Sequence, residues 1–229
     1  MKQELNTYAS EIVTISDSVI SGTKGTGNGF VNYKTPVLNV TNVKVDPECT
    51  AYNIFEGSQT DGAAPICQQK RVTIDKLTCD DVNLRHNVLN VYTPADGAAI
   101  TVKNSTFNLN VNNSNIVRMS NAGDADNVTI TFDNIDWSYE DSPESTTADG
   151  WKWAGLILFQ AYPNSTDASY VGDDSHIKTW KIVIKNCRYN GTKVTASNWG
   201  EHCQIGMVYN IGGTKAAADI ATVIPVSFE

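Results

Sequence analysis

The feature of this sequence that most constrains its fold is a hexapeptide that recurs six times. Each copy begins with an apolar residue, ends with an apolar residue and carries Asn or a substitute at its third position. The copies are ISDSVI (15–20), VTNVKV (40–45), IDKLTC (74–79), VKNSTF (102–107), FDNIDW (132–137) and IKNCRY (184–189). Their first residues follow one another at intervals of 25, 34, 28, 30 and 52 residues. A repeat of this length predicts stacked structural units.

Apolar residues alternate with polar ones into each hexapeptide, as at Ile100 and Val102, which is the period of a strand with one buried face. A second apolar segment lies between the hexapeptides. It reads YNIFEG (52–57), NVLNVY (87–92), NIVRMS (115–120), GLILFQAY (155–162) and QIGMVYN (204–210). Two strands per repeat, with no amphipathic helical run, predict an all-β solenoid of about six coils. We expect coils over 11–211, an N-terminal cap or arm at 1–10 and a C-terminal cap or tail at 212–229.

The third position of the hexapeptide predicts a sharp corner between two strands. Asn tolerates the left-handed backbone conformation that such a corner needs. Asn side chains at the same corner of stacked units can also bond to one another as a ladder. A β-sandwich also has recurring short strands, but it has no reason to repeat one corner residue. The predicted ladder consists of Asp17, Asn42, Asn104, Asn134 and Asn186, and Lys76 interrupts it.

Two segments, AAITVKNSTFNL (98–109) and WKIVIKNCRYNGT (180–192), carry a family resemblance. Through them the chain resembles the pectin-lyase-like right-handed parallel β-helix superfamily over about residues 11–211. The resemblance implies a right-handed parallel β-helix. It does not imply one activity, because the superfamily includes polysaccharide lyases and hydrolases, phage tailspikes and virion decoration proteins.

Charge and composition exclude several classes of partner. The net charge is −8 and the pI is about 4.8, which disfavours binding to nucleic acid or to an anionic membrane. No apolar run approaches the roughly 20 residues of a membrane helix, and the N-terminus has no apolar signal core. The five cysteines form no C-x-x-C pair, so we expect reduced thiols, with Cys79 and Cys187 in the core, and neither a metal nor another cofactor.

The best enzymatic signal is GDDSHIK (172–178), which supplies Asp173, Asp174 and His176 as candidate catalytic residues. It is similar to polygalacturonase signatures, in which a Gly-Asp-Asp element, a His element and an Arg-Ile-Lys element lie on successive coils. Here those elements are compressed into seven residues, and His176 replaces the Arg. Paired acids in loops are commonly solvated turn residues, so we expect no enzymatic activity.

The interval of 52 residues predicts long loops at 139–153 and 163–180, around GLILFQAY. Long insertions in solenoids form loops on one face and often carry function. Candidate interaction residues in this half are Trp151, Trp153, Tyr170 and Trp199, because exposed aromatics favour sugar or protein contacts. The alternative is that Trp151 and Trp153 cover the end of the solenoid.

These observations favour a non-enzymatic virion structural protein, either a capsid decoration protein or a short head-fibre or spike protein. Its expected partners are copies of itself, with a trimer favoured, and other virion proteins. It would be made in the host cytoplasm and located in the virion. The alternative is a carbohydrate-binding or polysaccharide-cleaving β-helix protein, with a glycan as partner. A third hypothesis is a self-associating module of a larger bacterial assembly.

Overall fold

The computed structural model describes residues 5–8, 11–22, 29–47, 49–57, 68–109, 115–120, 125–139, 155–160, 177–202, 205–208, 214–215, 221 and 224–229. Within these ranges the chain is nearly all β-strand, and most strand pairs are parallel. The predicted all-β class is therefore confirmed. One short α-helix, α1, spans Trp199–His202, and one turn of 3-10 helix spans Ile177–Thr179.

The strands are β1 (Leu5–Tyr8), β2 (Ile12–Ile20), β3 (Gly29–Lys34), β4 (Val37–Val45), β5 (Thr50–Gly57), β6 (Gln69–Val91), β7 (Pro94–Lys103), β8 (Thr106–Leu109), β9 (Asn115–Ser120), β10 (Thr129–Asp133), β11 (Asp136–Tyr139), β12 (Gly155–Gln160), β13 (Lys181–Lys185), β14 (Arg188–Tyr189), β15 (Thr192–Lys193), β16 (Ile205–Val208), β17 (Thr214–Lys215) and β18 (Val226–Phe228).

The first halves of the hexapeptides lie in a parallel ladder, which we call the first ladder. It runs through β2, β4, β6, β7, β10, β13 and β18. Equivalent apolar residues stack in register along it. One buried column contains Val13, Leu38, Val72, Ile100, Ile130, Ile182 and the half-buried Val226. The copies of the hexapeptide therefore occupy equivalent positions in the structure, because the first ladder aligns the same residue of each copy in one column.

The second halves of the hexapeptides form a second ladder beyond the corner residue. It begins with the ends of β2 and β4 and continues through β6, β8, β11 and β14. In β4 the corner interrupts the alternation of the strand, because two exposed residues in succession, the corner residue and the one before it, separate two buried residues. These two buried residues are Val40 and Val43.

A third ladder consists of β1, β3, β5, the end of β6, β9, β12 and β16. Four of its strands coincide with apolar segments that the sequence indicated, at 52–57, 87–92, 115–120 and 155–162, and β16 lies within a fifth, at 204–210. The sequence pattern missed β1 and β3. In GFVNYK (29–34) two apolar residues adjoin, at Phe30 and Val31, so the alternation of a strand with one buried face is lost.

Side chains from all three ladders belong to one hydrophobic core. Trp180 directly precedes β13 of the first ladder and is 1% exposed. Its ring meets that of Phe159 on the third ladder at a centroid distance of 5.7 Å. Its Nε1–H donates to the carbonyl oxygen of Ala125 over 2.6 Å. This bond satisfies the only polar atom of the buried indole, as a buried Trp requires.

Three cysteines belong to the core. Cys79 and Cys187 are buried free thiols, which confirms that prediction, and Cys49 is buried as well. Burial raises the pKa of Cys49 to about 12, with a smaller contribution from Asp46. A thiol with so high a pKa stays protonated and behaves as a small apolar group. Cys67 and Cys203 lie outside the described residues.

The C-terminal tail ends on the chain's own first ladder. β18 pairs in parallel with β13, and the Glu229 amide donates to the Ile184 carbonyl over 3.0 Å. The ring of Trp199, on α1, lies 5.8 Å from that of Phe228. Residues 226–228 therefore extend the chain's own first ladder by one strand.

Candidate functional site

Most of the residues that the sequence indicated as functional lie outside the described residues. This group comprises Trp151, Trp153, Tyr170, Asp173, Asp174 and His176. Trp199 is described, and it is half-buried against Phe228 at the C-terminal end of the first ladder. The described part of the chain contains three candidate features: the corner ladder, a buried polar network and an exposed strand.

The corner residues all have positive φ. The values are 50° at Asp17, 55° at Asn42, 59° at Lys76, 51° at Asn104, 53° at Asn134 and 51° at Asn186. This left-handed region is costly for most L-residues and least so for Gly, Asn and Asp. Asn42 donates from Nδ2 to Asp17 Oδ1 over 2.6 Å, and Asn134 donates to Asn104 Oδ1 over 3.0 Å. These bonds join neighbouring repeats along the solvent side of the corner.

At Lys76 the corner ladder has no side-chain amide, and the residue before the corner accepts the hydrogen bond instead. Asn104 donates from Nδ2 to Oδ1 of Asp75, the residue before the corner, over 2.9 Å. Asp75 also lies 3.3 Å from the Lys103 ammonium. The hydrogen bond from Asn104, with a smaller effect from Lys103, lowers the pKa of the Asp75 carboxyl. A carboxylate beside the corner therefore replaces the amide that Lys76 lacks.

A column of polar side chains runs along the strands of the third ladder, and the sequence analysis did not predict it. Asn53, Asn87 and Asn115 occupy one register column and are nearly fully buried. Asn87 donates to Asn53 Oδ1 from both its backbone N (3.1 Å) and its side-chain Nδ2 (2.9 Å). The available signal was the shared pattern Asn, apolar, apolar, polar, which reads NIFE, NVLN and NIVR.

Glu56 is the titratable centre of this network. Its carboxylate accepts from Asn53 Nδ2 at one oxygen and from Asn90 Nδ2 at the other, the latter over 2.8 Å. Burial raises the pKa of Glu56 to about 7, against the opposing effects of Asn90, Arg118 and Asn53. Asn90 lies between Glu56 and Arg118 in the register of neighbouring strands. A carboxyl in this state can gain or lose a proton near neutral pH.

Asn115 shows where the network lacks an acceptor. Asn53 donates to the residue three positions later, Glu56, whereas the residue three positions after Asn115 is Arg118, which is itself a donor. The Nδ2 group of Asn115 is buried, and within the described part of the chain it has no hydrogen-bond partner. A buried amide without a partner is costly, so this position weakens the network.

The third feature is the exposed face of β2. Ile12 is 55% exposed and Val19 is 62% exposed, and they are the large hydrophobic side chains that stand exposed among the described residues. β2 bonds β4 along one edge, and no described strand bonds its other edge. An open edge with apolar side chains is a template for another chain.

No metal cluster was identified among the described residues, where no three His, Cys, Asp or Glu side chains are placed to share an ion. The same residues include no helix long and apolar enough to cross a membrane. Comparison of the chain with protein-family models, with curated proteins and with solved structures gave no match in any of the three.

Proposed function

We propose that the chain is a right-handed parallel β-helix that serves as a non-enzymatic structural protein on the surface of a virus particle, as a capsid decoration protein or short fibre. The in-register columns of the first ladder and the left-handed corners support the solenoid. A ladder of seven parallel strands at roughly 4.8 Å spacing extends about 29 Å. Such a body is suited to holding contact surfaces at a fixed separation.

The observation that carries this role is the exposed apolar pair on β2. Ile12 aligns with Arg71 and Lys181 on later strands, and Val19 aligns with Lys44 and Arg188. Every other residue of the Val19 column is polar, whereas the Ile12 column also contains the apolar Val37 and Ala99. Among the described residues, the large apolar side chains that stand exposed are those of the edge strand. Exposed apolar side chains beside an unpaired edge favour binding to another chain by strand addition.

The test is the location of the chain in particles purified from the source that produces it. We expect an antibody against the chain to label intact particles, and the chain to sediment with them. A Val19→Lys variant should be lost from otherwise intact particles. Lys70→Glu, which changes an exposed residue of β6 away from that edge, should be retained. A chain found only in the soluble fraction, with unlabelled particles, would contradict the proposal.

Glycan binding is the second candidate, and the Glu56 network favours it. Glu56 and Arg118 are half-buried, and Asn90 lies between them in the register of neighbouring strands. Sugar hydroxyls both donate and accept hydrogen bonds, so they complement a mixture of carboxyl, amide and guanidinium groups. A glycan array probed with the native chain and with Arg118→Ala tests this role. Binding that Arg118→Ala abolishes supports it, and a blank array removes it.

A further inference from the structure

Each end of the first ladder is a strand that pairs with the ladder along one edge. At one end β2 bonds β4 on a single edge, and at the other β18 bonds β13 on a single edge. No other described strand lies beyond either one. All these pairings are parallel, so a second β2 placed beyond β18 would run in the direction that the ladder already has.

The register columns specify how such a strand would align. Val13 begins the column that Val226 ends, and Ile15 begins the column that Phe228 ends. A second copy that set its Val13 on Val226 and its Ile15 on Phe228 would extend both columns by one more parallel spacing. The exposed Ile12 would then meet Pro225, which precedes β18 and is exposed.

The second ladder leads to the same alignment. Val19 begins a column that passes through Lys44, Thr78, Thr106 and Asp136 to Arg188 of β14, and it ends at Lys193, because β15 pairs in antiparallel with the outer edge of β14. In the stacked arrangement Val19 of the second copy lies over the aliphatic part of the exposed Lys193 side chain on β15. Long cationic side chains cover apolar surface in this way while the charged group stays in water.

The two ends also carry opposite charge. Residues 11–22 contain Glu11 and Asp17, both exposed, and no Lys or Arg. Residues 177–202 and 224–229 contain two acids, Glu201 and Glu229, and five basic residues, Lys178, Lys181, Lys185, Arg188 and Lys193. Lys185 lies 3.7 Å from Glu229, and the excess of basic residues remains. Opposite charge favours contact between unlike ends, and like charge disfavours contact between identical ends.

We propose that a second copy of this chain docks head to tail, with β2 of one copy added in parallel to β18 of the other. This inference rests on the proposed function, since it names the partner of the exposed β2 edge. It differs from the trimer expected from the sequence, because a contact between unlike ends does not close by itself and can repeat.

The test uses two variants, each blocked at one end, and light scattering over a range of concentrations. Ile12→Lys with Val19→Lys blocks the β2 end, and Arg188→Glu with Lys193→Glu blocks the other. We expect the native chain to increase in mass with concentration beyond a dimer, and less so in high salt. Each variant alone should be a monomer. An equimolar mixture should form a dimer and nothing larger, because one intact end of each kind remains.

Lys70→Glu is the matched charge control and should associate like the native chain. Unchanged thermal unfolding of both blocked variants would show that they are folded. A native monomer at all concentrations, a discrete trimer, or loss of association in the β2 variant alone would overturn the head-to-tail contact. Particle labelling distinguishes the two proposals, since a chain that labels particles but stays monomeric in solution contradicts only this one.

Discussion

Asn134 donates a hydrogen bond from Nδ2 to Oδ1 of Asn104 over 3.0 Å, although 30 residues separate them in the chain. Both residues have left-handed backbones, with φ of 53° and 51°. One residue type thus meets two needs at each corner, the bend between strands and a bond between repeats. This relationship connects the hexapeptide pattern to the three-dimensional stack.

Substitutions at Asn134 can separate those two contributions. Asn134→Ala loses the bond to Asn104 and puts a β-carbon into the left-handed region, so we expect a loss of about 1–2 kcal/mol in the free energy of unfolding. Asn134→Gly loses the bond but tolerates the backbone, and should cost less than the Ala variant, about 0.5–1 kcal/mol. Urea unfolding measures both. Equal losses would show that the backbone conformation contributes nothing.

The raised pKa of Glu56 predicts a pH dependence of stability. Between pH 4.5 and about 7 the folded chain retains a proton that the unfolded chain has released. The free energy of unfolding should therefore fall as pH rises through this window and level off above it. A decrease of roughly 2–3 kcal/mol is expected from a shift of this size.

Glu56→Gln is the control for that dependence, because an amide does not ionise. The difference in unfolding free energy between the variant and the native chain should grow in favour of the variant from pH 4.5 to 7. Asn104 lowers the pKa of Asp75, so Asp75 contributes stability that is lost at more acid pH. The native chain and the variant both contain Asp75, so its contribution is the same in both. If the difference in unfolding free energy stayed constant from pH 4.5 to 7, the raised pKa of the buried Glu56 carboxyl would be contradicted.

Gly57 lies where the third ladder's backbones approach closely. A β-carbon there would be 2.7 Å from the Asn90 carbonyl oxygen and 3.0 Å from Tyr33 Oη, which donates to that same oxygen over 2.9 Å. Gly57→Ala should cost about 2 kcal/mol or more, through overpacking and the displaced hydrogen bond. Gly200→Ala, with nothing within 4 Å of its added carbon, should be neutral. Similar thermal midpoints for the two variants would contradict the close approach.

Trp180 provides a test of the core. Trp180→Phe retains an aromatic ring near Phe159 but leaves the Ala125 carbonyl without its donor. We expect a loss of about 2–3 kcal/mol from the smaller ring and the lost bond. Trp199→Phe, at a half-buried indole, should cost less than 1 kcal/mol, on the order expected for a partly exposed site. Chemical denaturation followed by circular dichroism compares the two, and equal losses would argue against the Trp180 bond.

The corner residues were predictable because the left-handed conformation restricts residue type so strongly. Asn42, Asn104 and Asn186 stand out in the sequence for that reason, and Lys76 is conspicuous as the exception. The Glu56 network was not predictable in the same way. An Asn within a strand resembles any polar strand residue, and Asn87 and Asn90, the partners of Asn53 and Glu56, each come from 34 residues further along.

The exposed pair on β2 had a weaker signal. Ile12 adjoins Val13, and Val19 adjoins Ile20, and only one member of each doublet can point to the core of a strand. The sequence does not say which strand is at the edge of the ladder, and that position determines whether the outward residue is available for contact. The candidate surface therefore depends on which strands pair, and those strands are distant from one another in the sequence.

The central claim is that the outer edge of β2 is a contact surface. Hydrogen exchange of peptides covering residues 12–20 tests it most directly, in the purified particle and in chain released from it. We expect slower exchange in the particle, confined to this strand and its partner, because strand addition protects the outward amides. Identical exchange of these peptides in both states would contradict the account.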